Sequence, residues 1–205
     1  MHKKKFRWTA LKLTIIISIV FILQVIFKEL TESFMLVSSD VYSRPWILIT
    51  SIFLHGSITH LLYNMFALFL FGSFLEKKIG SRNFLIVFFL TGIIASLIAS
   101  LFYERSLGAS GAVYGVIGML TVLQPLMPIW AFGVPMPIIV ASVLWIFIDF
   151  ASFTSYLKGM PGGIANAAHL AGIFSGALFG LILRYFDKWK RKKERRIKNI
   201  RIRAR

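Results

Sequence analysis

Three of the four histidines in this 205-residue chain, His55, His60 and His169, fall inside or beside long uncharged apolar runs. Asn64 lies there too, as does a serine set among small residues, Gly108-Ala109-Ser110-Gly111. Ionisable groups are costly at membrane depth and tend to line a cavity or a reaction site. Asn64 follows His60 by four residues, so both project from one helical face, a turn apart. A serine at a helix start offers an open hydroxyl beside first-turn N–H groups that lack intrahelical partners and can bind an oxyanion. Placed beside an imidazole, that hydroxyl becomes a nucleophile with its base. Each feature taken singly has a plainer reading, since Asn and His serve as interhelical hydrogen-bond glue and Gly-Ser pairs as close packing.

Metal chemistry is weakly supported. His55 and His60 are five residues apart, about 140° around an ideal helix, which is poor for two ligands on one ion. No carboxylate accompanies them in these runs, and Asp149 stands at the end of the fifth. The chain has no Cys, which excludes disulfide scaffolds, thiolate zinc sites, iron–sulfur clusters and cysteine nucleophiles. No cofactor and no metal are expected.

Two stripes of small residues bear on whether serine and histidine can meet. Gly111, Gly115 and Gly118 recur at i, i+4 and i+7, and Ala168, Gly172 and Gly176 form a second stripe beside His169. Small residues at this spacing let helix backbones approach closely. The spacing predicts that the serine-bearing and histidine-bearing helices pack together. Tyr114, a turn after Ser110 on the same face, could then pack against the His169 ring or serve simply as a core or interfacial tyrosine.

The elements that carry these groups follow from composition. The chain is 57% hydrophobic and 16% charged, with 20 Phe and a mean hydropathy of +0.75. Too few charges remain to cover a water-facing surface, so the bilayer is the expected solvent. A spanning helix needs about 20 apolar residues, and the uncharged runs predict six: about 8–27, 53–75, 83–103, 109–125, 134–150 and 164–185. The stretch from Ser106 to Ile148 is uncharged throughout. At helical rise it would reach about 64 Å, twice a hydrocarbon core, so it must fold back. Pro125, Pro128, Gly133, Pro135 and Pro137 mark the return. The predicted organisation is an all-α, polytopic six-helix membrane domain over 1–187, followed by a basic tail over 188–205.

Six spans put both termini on one side. Assigning that side to the cytoplasm collects 20 of the 24 basic residues there and leaves Lys28, Arg44, Arg105 and Lys158 outside. The +16 charge then reads as an orientation signal, with the tail against anionic lipid headgroups and not on nucleic acid, since no recognition module accompanies it. The N-terminal basic and apolar segment reads as a retained span, because no small-residue cleavage site follows. The composition fits a bacterial plasma membrane. In this topology Ser110, His55, His60, Asn64 and His169 all share the outer half of the membrane.

With these residues in view, the sequence from about Trp46 to Gly180 resembles the rhomboid family of intramembrane serine proteases. The second span reads His55-x4-His60-x3-Asn64-Met65, closed by Glu76-Lys77-Lys78-Ile79-Gly80. Then come Gly108-Ala-Ser110-Gly111-x2-Tyr114-Gly115 and Ala168-His169-x2-Gly172-x3-Gly176, in the family's order. The resemblance implies a Ser–His dyad, with Ser110 as nucleophile and His169 as general base and then acid. It implies an oxyanion site of His60, Asn64 and the Ser110 backbone N–H, and a structural role for His55. Its implied substrates are transmembrane proteins, cut in or beside their membrane helices. The family commonly has Trp-Arg before the second span, whereas here Arg44 precedes Trp46. No Asp or Glu lies near His169 in sequence, so an aromatic ring or a backbone carbonyl is expected to orient its imidazole. The competing expectations are a catalytically inactive relative that binds transmembrane helices, and a small transporter; the polar groups cluster too far outward for a permeation path.

Overall fold

The computed structural model describes residues 6–160 and 164–203, without the side chains of 191 and 195–203. Lys3, Lys4 and Lys5, together with the side chains of the far tail, therefore lie outside the described residues. Among the described residues eight α-helices form in chain order: α1 Thr9–Ile26, α2 Glu29–Phe34, α3 Ile47–Thr50, α4 Ile58–Ile79, α5 Ser81–Phe102, α6 Ser110–Leu123, α7 Ile138–Leu157 and α8 Asn166–Arg203. Among the described residues, α1, α4, α5, α7 and the first part of α8 are long and apolar enough to cross a bilayer. The remaining run, α6, is apolar but has only 14 residues. At about 1.5 Å each it measures some 21 Å, short of a hydrocarbon core of about 30 Å.

The short helix is the centre of the molecule. Its packing is most extensive with α8 and next with α5, and nine of its residues are buried, from Gly111 to Leu120. A helix surrounded by helices does not need to match the bilayer's thickness itself. By contrast, α7 exposes Val143, Phe147, Ile148 and Phe150. These large apolar side chains are at no cost when the surrounding medium is lipid.

Several expected boundaries move. The second span begins at Ile58, not 53, because Ile47–Thr50 and Ser51–Phe53 form separate short helical pieces. Ser57 then caps α4, its hydroxyl accepting the His60 N–H at 3.1 Å. This helix also contains a π-helical turn, Leu68–Gly72. The fifth helix begins at Ile138, not 134, and runs to Leu157. Val134–Pro137 is instead a strand, β4, paired antiparallel with β3, Pro128–Ala131. Prolines at 128, 135 and 137 lack N–H donors and are tolerated in such a two-stranded hairpin but not inside a helix. The last helix passes through 187/188 without a break.

The helix ends are tied by polar side chains. Glu76 is fully buried and closes the N-terminus of α1: its Oε1 accepts the N–H groups of Arg7 and Thr9, and its Oε2 that of Ala10, at 2.9–3.1 Å. The Ser81 hydroxyl donates to the same carboxylate. A carboxylate there satisfies orphan N–H groups and matches the positive end of the helix dipole. At the opposite end of the bundle, strands β1, Leu36–Val37, and β2, Arg105–Ser106, form a short ladder that pairs Leu36 with Ser106 and Val37 with Arg105. Arg44 is paired with Asp40 and donates to the Ser33 carbonyl, so it ties together the loop ahead of Trp46. That guanidinium holds the Asp40 carboxyl below the usual carboxylate range.

Candidate active site

Ser110 is the first residue of α6 and His169 lies in the first turn of α8, so both enter from the same end of the bundle. His169 Nε2 lies 2.9 Å from Ser110 Oγ. The glycine stripes bring them there. A Cβ on Gly172 would stand 2.1 Å from the Gly111 carbonyl oxygen, and one on Gly176 1.9 Å from that of Gly115. On the other helix, a Cβ on Gly118 would meet the Ile173 carbonyl at 2.0 Å. Backbone lies against backbone along the whole contact, with Ala168 buried at its end. Gly111 and Gly115 also face α5, where Ala95 and Thr91 leave no room for a side chain.

The histidine ring is held from two directions. Tyr114 stacks on it, with ring centroids 4.3 Å apart and planes inclined by 9°. The second contact corrects the expectation that no carboxylate serves His169: Asp149 Oδ1 lies 3.0 Å from its Nδ1. The Asn166 amide donates to the same oxygen at 2.6 Å. Asp149 and His169 side chains are only 6% and 12% exposed, so this contact is sequestered from water. Asp149 is 20 residues away in sequence and comes from a different helix, α7.

The remaining polar groups come from α4. Both His60 and Asn64 line a cavity of about 960 Å3 that also takes in Ser110, Gly108, Tyr114 and His169. Gly108 has φ +128°, a conformation suited to glycine. A Cβ added there would stand 2.7 Å from the His60 ring, which therefore lies against the turn leading into Ser110. Asn64 donates one amide hydrogen to the His60 carbonyl at 3.0 Å and has a second to offer. His55 is buried with its ring centroid 4.9 Å from that of His60. Its backbone is clamped by Gln24 of α1, whose amide accepts the His55 N–H at 3.0 Å and donates to its carbonyl.

Of the residues singled out by sequence, Ser110, His169, Tyr114, His60, Asn64 and Gly108 share this one cavity, and His55 stands behind it. Asp149, Asn166 and Gln24 were missed. The signal for Asp149 was present, as an ionisable residue in an apolar run, but the boundary expected at 150 placed it at the membrane surface. In the structure eight further residues of α7 follow it, about 12 Å of helix.

A bundle of long apolar helices with a polar cavity at one end, in which a hydroxyl lies against an imidazole, defines a polytopic helical membrane protein. The comparisons with known proteins agree with that class. The family model described as Rhomboid domain matches residues 42–186. The chain is 33% identical over 143 residues to "RHOMBOID-like protein 6, mitochondrial" of Arabidopsis thaliana, covering 69% of this chain and 44% of that protein. It is 27% identical over 151 residues to "Rhomboid protease GlpG" of Yersinia pseudotuberculosis, covering 73% of this chain and 51% of that protein. The chain thus spans about half the length of the curated relatives it matches, and it belongs to the rhomboid family.

Proposed function

We propose that this chain is an intramembrane serine endopeptidase that hydrolyses peptide bonds in or beside the transmembrane helices of other proteins. The observation that carries this reading is the 2.9 Å contact of Ser110 Oγ with His169 Nε2, on the wall of a large cavity among apolar helices. His169 Nε2 takes the Ser110 hydroxyl proton as Oγ bonds to the substrate carbonyl carbon, whose oxygen becomes an oxyanion. The Ser110 backbone N–H, the second Asn64 amide hydrogen and His60 are the donors for that oxyanion. When the tetrahedral species collapses, the C–N bond breaks and Nε2 returns its proton to the departing amine. Water then attacks the acyl ester, giving one proton to Nε2. Ser110 recovers that proton as the acid product leaves.

The orientation belongs to the same proposal: both termini in the cytoplasm, the cavity open to the outer side, and the basic continuation of α8 against anionic headgroups. A bacterial plasma membrane is the proposed location. The chemical test is a fluorophosphonate probe with peptide mapping. The adduct should fall on Ser110 and be lost in His169→Ala. An adduct formed equally well without His169 would remove the base assignment.

A further inference from the structure

We infer that Asp149 is a positioning residue for this site, held by Asn166 so that it fixes His169 in the tautomer able to accept the Ser110 proton. The inference rests on the reading of Ser110 and His169 as nucleophile and base. For Nε2 to take a proton from Ser110 Oγ, it must present a lone pair, and in a neutral imidazole the hydrogen must then sit on Nδ1. An ionised carboxylate can only accept, so Asp149 Oδ1, 3.0 Å from Nδ1, selects that tautomer. Asn166 Nδ2 donates to the same oxygen at 2.6 Å and limits its movement. The Tyr114 stack sets the plane of the His169 ring. Stacking leaves rotation within that plane free, and the contact to Asp149 stops it.

Charge matters as well as direction. When Nε2 takes the serine proton the ring becomes an imidazolium, and a carboxylate against Nδ1 stabilises that charge without itself being protonated. A carboxylate on a membrane helix is expensive to keep. Here it is buried, eight residues from the end of α7, and the Asn166 amide and His169 Nδ1, both from α8, converge on one of its oxygens. Helix glue would be served equally well by a neutral amide at this position. The two roles therefore differ in what Asp149→Asn does.

The experiment compares the full chain with its Asp149→Asn variant in liposomes carrying a single-span substrate. The expected result is a loss of at least about 100-fold in kcat with KM within about twofold, the pattern of an orienting carboxylate. Nitrogen-15 histidine spectra, with His169 assigned by subtracting a His169→Gln sample, should show the Nδ1–H tautomer in the parent and its loss in the variant. A kcat within threefold of the parent, or an unchanged His169 tautomer, overturns the assignment. If the Asn variant does not insert, Asp149→Leu, similar in size, is read by the same two measurements. Ser110→Ala, run in parallel, separates the two readings. Cleavage that survives it defeats the protease, while the tautomer still decides Asp149. Cleavage lost in Ser110→Ala but undiminished in Asp149→Asn defeats only the role of Asp149.

Discussion

A serine hydroxyl on a buried helix is a weak nucleophile until a base rests against it, and in the proposed mechanism His169, against Ser110, is that base. What remains is to stabilise the charge that develops on the substrate oxygen. Asn64 is buried and uses one amide hydrogen on the His60 carbonyl, leaving the other for the cavity. Asn64→Ala should therefore slow turnover by about 100-fold, near the lower end of the range for one oxyanion donor, with little change in KM. An Asn64→Ala enzyme at full rate would move the oxyanion role to His60 and the Ser110 N–H. Ser110, His60, Asn64 and His169 were legible because a polar residue stands out against Phe, Leu and Ile. Asp149 was not, since an Asp in the last turn of an expected helix at 134–150 is ordinary surface chemistry. Four residues of that run form a strand, the helix extends to Leu157, and the carboxylate ends up inside. Gln24 was passed over for a simpler reason: one amide in an apolar helix carries no spacing that links it to His55.

At the scale of elements, the precision of the site is a packing result. Along α6 and α8, glycines let one backbone rest on the other, and His169 reaches Ser110 only because nothing intervenes. Gly176→Ala places a methyl group where the Gly115 carbonyl oxygen lies 1.9 Å away, so the helices must part. Overpacking of this kind costs about 1–3 kcal/mol. Cleavage should fall by more than tenfold and the melting temperature should drop, although neither reacting side chain is altered. Full activity in Gly176→Ala would mean that the helix contact is not what sets the geometry. This stripe pattern was readable from spacing alone. The turn back after α6 was readable from Pro125 to Pro137, but not that the helix already stops at Leu123 and that the return is a β hairpin.

For the whole molecule, the charge asymmetry makes a claim about sidedness. The loop around Tyr42, which is 98% exposed, and the turn at Arg82 lie at opposite ends of the bundle. The chain has no native cysteine to interfere. In intact cells a membrane-impermeant maleimide should label Tyr42→Cys, and should reach Arg82→Cys only after permeabilisation; the reverse pattern would invert the proposed orientation. The Arg44–Asp40 tie on the loop ahead of α3 has a pH sense that follows from the lowered Asp40 pKa. Its stabilisation is complete at neutral pH and is lost as pH falls through that lowered value. The central claim, that this cavity hydrolyses peptide bonds at membrane depth, is tested most directly by one measurement. Purified protein is placed in liposomes with a single-span substrate, and the fragment masses are determined. The account predicts one cut in or next to the substrate's membrane helix, absent with Ser110→Ala; fragments that persist with Ser110→Ala, or a substrate left whole by the parent protein, would contradict it.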